Sequence, residues 1–187
     1  MSSTLTLLTS NQHQSFKMNF KYFLSLVLAT ISSVVVAQNT VSIDNPQFEY
    51  VCELRVKCDH AYTVGQTAHG KRVVIPIVGG TFEGPKMKGT IISGGADYQL
   101  VDETNGRTEL EAIYSILTDD GTYIHVRNKG IVVNAKNADG TPNFYFCTSP
   151  KFEAPNNSKY DWLNNAIFVC KPGFTTEYII LRIWKVF

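Results

Sequence analysis

Phe48-Glu-Tyr-Val-Cys-Glu-Leu-Arg-Val-Lys-Cys58 alternates apolar and polar residues along its length. Phe48, Tyr50, Cys52, Leu54, Val56 and Cys58 fall on one face, and Glu49, Glu53, Arg55 and Lys57 on the other. A period of two is the signature of a β-strand with one face in a core and one in water. Downstream, Arg72-Val-Val-Ile-Pro-Ile-Val78 is apolar on both faces, with Pro76 restricting it to an edge or a bulge. Further strands are expected over 86–93, 98–102, 110–118, 123–128, 144–147, 166–170 and 177–186. Turn signals punctuate them at Gly79-Gly80, Gly94-Gly95, Asn105-Gly106, Asp120-Gly121 and Asp139-Gly140. Leu110, Ile113, Tyr114 and Leu117 also fall at helical spacing. The strand reading is preferred there, because Asp119-Asp120-Gly121 then joins that segment to the next as a hairpin. A helical turn is expected only over 160–165. About nine short strands with glycine turns between them make an all-β domain, a sandwich or a closed barrel. Closure removes exposed edges and leaves an interior able to hold one small ligand.

The chain has 187 residues, with 17 Lys plus Arg against 16 Asp plus Glu. A near-neutral charge without a Lys/Arg run excludes a nucleic-acid binder that works by neutralising phosphates. Residues 18–37 read as a secretory signal peptide: a short basic start at Met18, an apolar run from Phe23, and Val35 and Ala37 before the cleavage point. An N-terminal anchor is the rival reading, disfavoured by the short apolar run, so no stable membrane span is expected. Residues 1–17 are polar and free of acids, either an extension upstream of a true start at Met18 or a transit segment. Cleavage after Ala37 leaves 150 residues, 38–187, as a single domain that keeps all 13 Gly, seven Pro and four Cys. A secreted destination, extracellular or cell wall, favours at least one disulfide among Cys52, Cys58, Cys147 and Cys170. Their pairing stays open, except that Cys52 and Cys58 in one straight strand stand about 20 Å apart and cannot bridge. Four buried thiols are the alternative. No metal is expected, since there is no C-x-x-C and the four His are scattered. Asn156-Asn-Ser158 is an acceptor for N-glycosylation, which places that loop on the surface.

Gly65-Gln-Thr, Gly70-Lys-Arg72, Pro76-Ile-Val-Gly-Gly80, Phe82-Glu-Gly-Pro85, Gly89 and Gly94-Gly-Ala-Asp97 follow one another in order. Asp119-Asp-Gly121, Asn128-Lys-Gly130, Phe152-Glu153 and Tyr160-Asp-Trp-Leu-Asn164 continue the series. Together they resemble the family called domain of unknown function 3237. That resemblance implies a small calycin-like closed or nearly closed antiparallel barrel of about 8–10 strands. It implies no activity, because the family has none assigned. The chain departs from the family pattern at Tyr98, where Trp is common, and at Cys147 and Cys170, as a secreted branch with acquired disulfides would.

Charged residues among strand edges and glycines are the candidates for chemistry, since a charge inside a small barrel is costly unless used or paired. Glu83 or Asp97 would serve as a general base with a pKa raised by an apolar pocket, and Arg72 would orient an anionic or carbonyl group. Salt bridges at the barrel mouth are the alternative for all three. Arg127 is a second candidate clamp, although it shares a strand face with Tyr123 and His125, opposite Thr122, Ile124, Val126 and Asn128. Phe82, Tyr98, Tyr114 and Trp162 are candidate ligand-lining aromatics, set against an ordinary core role. No nucleophile elbow, P-loop, zincin or dinucleotide motif is present, so no cofactor is expected. The leading expectation is a secreted barrel binding a small, largely apolar or aromatic molecule in its interior. A cofactor-free isomerase, lyase or cyclase is the enzymatic alternative, and a filled barrel with a structural or surface-interaction role is the third. An interior packed with side chains, with no cavity above about 300 Å³, would rule out both the binding and the enzymatic readings. The sequence sets no oligomeric state.

Overall fold

The structure is a computed structural model that describes residues 44–187. The segment read as a signal peptide and the extension before it lie outside the described residues. Ten strands follow in order: β1 (Phe48–Cys58), β2 (Tyr62–Thr67), β3 (Gly70–Glu83), β4 (Lys88–Ile91), β5 (Gly95–Asp102), β6 (Arg107–Thr118), β7 (Tyr123–Lys136), β8 (Pro142–Glu153), β9 (Ile167–Phe174) and β10 (Ile179–Val186). A 3₁₀ turn, Asp161–Asn165, precedes β9, and no other helix occurs among the described residues. All neighbours are antiparallel. The sheet runs β1-β10-β9-β8-β7-β6 to β4 and β5, then β3, and closes where β3 pairs β1. The ring has eight positions, because β4 and β5 share one: β4 pairs the last residues of β3 and β6, and β5 pairs the earlier halves of both. The barrel expectation therefore holds. The 108–117 segment is strand, and Asp119-Asp120-Gly121 turns it into β7.

Local irregularities follow from closure. Pro76 sits where β3 passes from β2 to β1, between the Tyr62–Val74 and Cys58–Ile77 pairs, so its missing N–H interrupts no ladder. Gly79-Gly80 is not a turn, as expected from sequence, but a kink inside β3. Both glycines have positive φ, and a Cβ on Gly80 would lie 2.0 Å from the Arg55 carbonyl oxygen across the closing seam. A bulge at Val51 splits the face read from β1: Val51, Cys52, Leu54 and Val56 are buried, while Phe48 and Tyr50 are exposed. One extra residue shifts the alternation by one, so everything before it changes face.

The interior is packed at one end. Leu54, Phe82, Ile116, Ile124, Phe152 and Phe168 are at most 2% exposed there, and the Phe152 and Phe168 rings meet edge to face at 5.0 Å. Leu163 of the 3₁₀ turn and Tyr160 just before it are buried in the core. Asp120 in the β6–β7 turn fastens the segment by accepting from Lys159 (2.8 Å) and the Tyr160 hydroxyl (3.1 Å).

A methyl at Gly95 would stand 2.4 Å from the Ile113 carbonyl oxygen and 2.5 Å from Tyr114 Cβ, while one at Gly173 meets nothing within 4 Å. Gly95→Ala is expected to lower stability by about 2 kcal/mol through overpacking. Gly173→Ala should stay within about 0.5 kcal/mol of the parent. Urea midpoints with unchanged slopes check both.

Candidate functional site

The other end of the barrel holds a cavity of about 180 Å³. Val56, Ile75, Ile77, Leu110, Val132 and Leu181 give it apolar walls, with Phe146, Phe174 and Ile179 toward the rim. Asp97, Gln99, Tyr114, Asn128, Thr148 and Cys58 supply its polar atoms. Larger hollows, of about 430 and 450 Å³, are grooves on the surface: one beside Tyr145, Lys171 and Trp184, the other around Asp102 and Arg107. The interior one alone brings a half-buried carboxylate and several buried polar groups together among apolar side chains.

Strand alternation places each member. Asp97 pairs Ile75 on β3 and Ala112 on β6, all three on the inward face. Beyond Asp97, Tyr98 and Gln99 have no partner on β6, and the ladder resumes at Leu100–Glu109. The Asp97 carboxylate works in this gap, accepting from the Glu111 N–H (3.1 Å) and from Gln99 Nε2 (2.7 Å). Burial raises the Asp97 pKa from its ordinary value, and these two hydrogen bonds offset only part of the shift. Tyr114, pointing inward from β6, is fully enclosed, and its hydroxyl carries no hydrogen bond. Burial and the surrounding Cys170, Cys52 and Cys58 thiols push its pKa up, so it is a neutral phenol. Asn128 Oδ1 and Thr148 Oγ1 are also buried without a hydrogen-bond partner; the Thr148 hydroxyl has only the weakly polar Cys170 thiol beside it. Gly130 makes room for Thr148, whose Cγ2 would lie 2.3 Å from a Cβ there.

The residues named from sequence are not brought together as one set. Asp97 and Tyr114 line the cavity; Arg72, Glu83, Phe82, Tyr98, Arg127 and Trp162 do not. Glu83 is exposed, because its neighbour Phe82 takes the inward position opposite Leu54 and becomes core. Arg72 and Tyr98 flank the inward residues of β3 and β5 and stand on the outer face, where Arg72 Nη1 donates to the Tyr98 carbonyl oxygen (3.1 Å). Arg127 lies outside too, paired with Glu111 at 3.0 Å. Trp162 belongs to the closed end, packed against Phe168 with Lys86 Nζ 5.4 Å above its ring. Asn156 is exposed in the loop after β8.

The expected disulfides are absent: all four cysteines are free thiols. Cys52 and Cys170 lie on one inward row with Ile183 between them. Two strand spacings, about 10 Å, exceed the reach of a bridge. Cys147 precedes inward-facing Thr148 and therefore faces outward, across the sheet from Cys170. Gln99, Asn128 and Thr148, with Cys58, are polar cavity residues that charge alone does not point to. The available signal was alternation itself, which sets Asn128 on the same face as Ile124 and Val126.

These features define a closed antiparallel β-barrel with one packed end and one hollow end. The chain matches the model of the family described as Protein of unknown function (DUF3237) over residues 46–186, and it belongs to that family. A UPF0311 protein of Clostridium acetobutylicum is 34% identical over 155 residues, covering 78% of this chain and 97% of the relative. The crystal structure of a beta-barrel like protein from Acinetobacter baumannii superposes with a TM-score of 0.70 at 31% identity, covering 79% of this chain and all of that one. A hydroalkoxylation enzyme of Penicillium herquei is 24% identical over 90% of this chain and 99% of its own length.

Two measurements follow from this geometry. A charged Asp97 costs the native state, so its contribution to stability improves as pH falls through its raised native pKa toward the ordinary carboxylate range. The melting-temperature gap between Asp97→Asn and the parent should therefore shift in the parent's favour between pH 7 and about pH 4; a constant gap contradicts the shift. Burial holds the Cys52 and Cys170 thiols near pKa about 12. Alkylation of the folded protein should reach Cys147 and Cys58 first, with four labelled sites after unfolding without reductant. Fewer than four would reveal a bridge.

Proposed function

We propose that the hollow end of the barrel binds a small, largely apolar molecule through a group the size of a single ring. The observation that carries this is the cavity of about 180 Å³, apolar-walled yet holding the unpartnered polar atoms of Tyr114, Asn128 and Thr148. An apolar cavity of about 150 Å³ accepts benzene, whereas sites that engulf a drug-sized ligand start near 300 Å³. That size narrows the expectation from a whole molecule enclosed in the barrel to one ring seated in its mouth. The cavity falls short of the roughly 300 Å³ set for an enclosed ligand, so that form of the binding reading is given up, and the filled-barrel reading describes the packed half.

Catalysis is the second reading, favoured by Asp97. A carboxylate with raised proton affinity, held in place by two hydrogen bonds, suits a general base that takes a proton from the bound molecule and returns it elsewhere. Proton relocation of this kind, as in an isomerase, lyase or cyclase, needs no redox partner. The Penicillium relative named as a hydroalkoxylation enzyme supports this class, because adding an O–H across a double bond is such a relocation.

The protein is further proposed to act outside the cell. Residues 18–37, with their basic start, apolar run and small residues, and the exposed acceptor Asn156 support that placement. Native mass spectrometry on protein from its own source tests both proposals. A mass beginning at Gln38, with retention of toluene that Ala112→Phe abolishes by filling the cavity, is the expected result. A chain beginning at Met1 or Met18 overturns secretion, and failure to retain either toluene or phenol overturns the binding site.

A further inference from the structure

Asp97 and Asn128 stand on one row of the inner wall, with only Ala112 between them. Their backbones lie two strand spacings apart, about 10 Å, and the Ala112 methyl leaves the space above it free. Asn128 is 3% exposed and its Oδ1 has no partner; Tyr114, two residues along β6 from Ala112, is 3% exposed and its hydroxyl has none. A buried polar atom in that condition has lost its hydration without replacement. Neither Lys, Arg nor His lines the cavity. The polar groups it presents are the Asp97 carboxylate, the Asn128 and Gln99 amides, which carry both an acceptor and a donor, and hydroxyls that can give or take a hydrogen bond.

We infer that the cavity selects an uncharged ring bearing a hydroxyl group, whose O–H donates to Asn128 Oδ1 above Ala112 and whose oxygen accepts from the Tyr114 hydroxyl. This rests on the binding reading above and names its ligand class. A carboxylate or phosphate would face Asp97 with no cation beside it. An ammonium group would surrender its hydration to a mostly apolar wall. A phenolic or alcoholic hydroxyl satisfies both orphaned atoms without burying a second charge.

Phenol and toluene have the same shape and differ in the hydroxyl, so calorimetric titration of both into the whole protein isolates it. Phenol is expected to bind at least tenfold more tightly. Asn128→Leu and Tyr114→Phe should each bring that ratio to within twofold. Tyr114→Phe should also melt at or above the parent temperature, because the deleted hydroxyl is one the empty fold leaves unsatisfied; a lower melting point would mark it as structural and overturn its assigned role. Equal affinity of the parent for phenol and toluene, or tighter binding of benzoate or benzylamine than of phenol, overturns the inference and leaves the binding site standing. No binding by any of the four overturns the binding site itself.

Discussion

Closure between β1 and β3 is the constraint on which the rest of the molecule depends. Leu54 meets Phe82 across this seam and Val56 meets Gly80. Gly80 permits the close approach of the Arg55 carbonyl because it has no Cβ and holds a φ of 134°. With the ring shut, alternate positions along each strand face the interior or the outer wall. Charged side chains accordingly leave the interior in pairs that bind one another on the outer wall, as Glu53 does with Arg182 (2.9 Å) and Arg55 (3.2 Å), and Glu111 with Arg127 (3.0 Å). Asp97 stands against that pattern, on the inner wall with no cation beside it.

The interior divides into two halves with different tasks. Phe152, Phe168, Ile116, Ile124 and Leu163 fill one half, and the 3₁₀ segment lies there with Asp120 as its fastener. In the other half, Ala112 takes an inward position where bulk would fill the cavity, Gly130 makes room for Thr148, and polar Asn128 and Thr148 supply hydrogen-bonding groups. Tyr114 belongs to both, as core residue and cavity wall. A packed half that supplies cohesion lets the other half tolerate polar atoms that a uniform core would reject.

Much of this was legible in the sequence, because alternation and turn chemistry are local. The β6–β7 hairpin is written in Asp119-Asp120-Gly121, and the strand at 108–117 follows from it despite its helical spacing. The bulge at Val51 was not legible: two buried neighbours in one strand make sense only against the Trp184–Ile183 register of β10. Nor was the role of Gly79-Gly80, since a glycine pair is a turn by default and becomes a strand kink only where another backbone presses on it. For the site, charge proved a weak guide. Arg72, Glu83 and Arg127 are charged but lie on the outward alternation, whereas Asn128 is uncharged and inward. A polar residue in step with Ile124 and Val126 was the more informative signal, because a closed barrel gives it no route to water.

Asp97 joins a structural duty to the chemical one proposed for it. Its Oδ1 replaces the β5 backbone as acceptor for the Glu111 N–H, where the ladder with β6 lapses. A neutral side-chain oxygen could do the same without the desolvation penalty that raises this carboxyl's pKa. The carboxylate is thus an expensive choice if the gap needs only an acceptor. It fits a site that needs a base, because the main chain of β6 and the Gln99 amide fix its direction while burial sets its proton affinity. Orientation and basicity come from separate sources, so a change in cavity contents can alter the proton affinity without releasing the side chain from the wall.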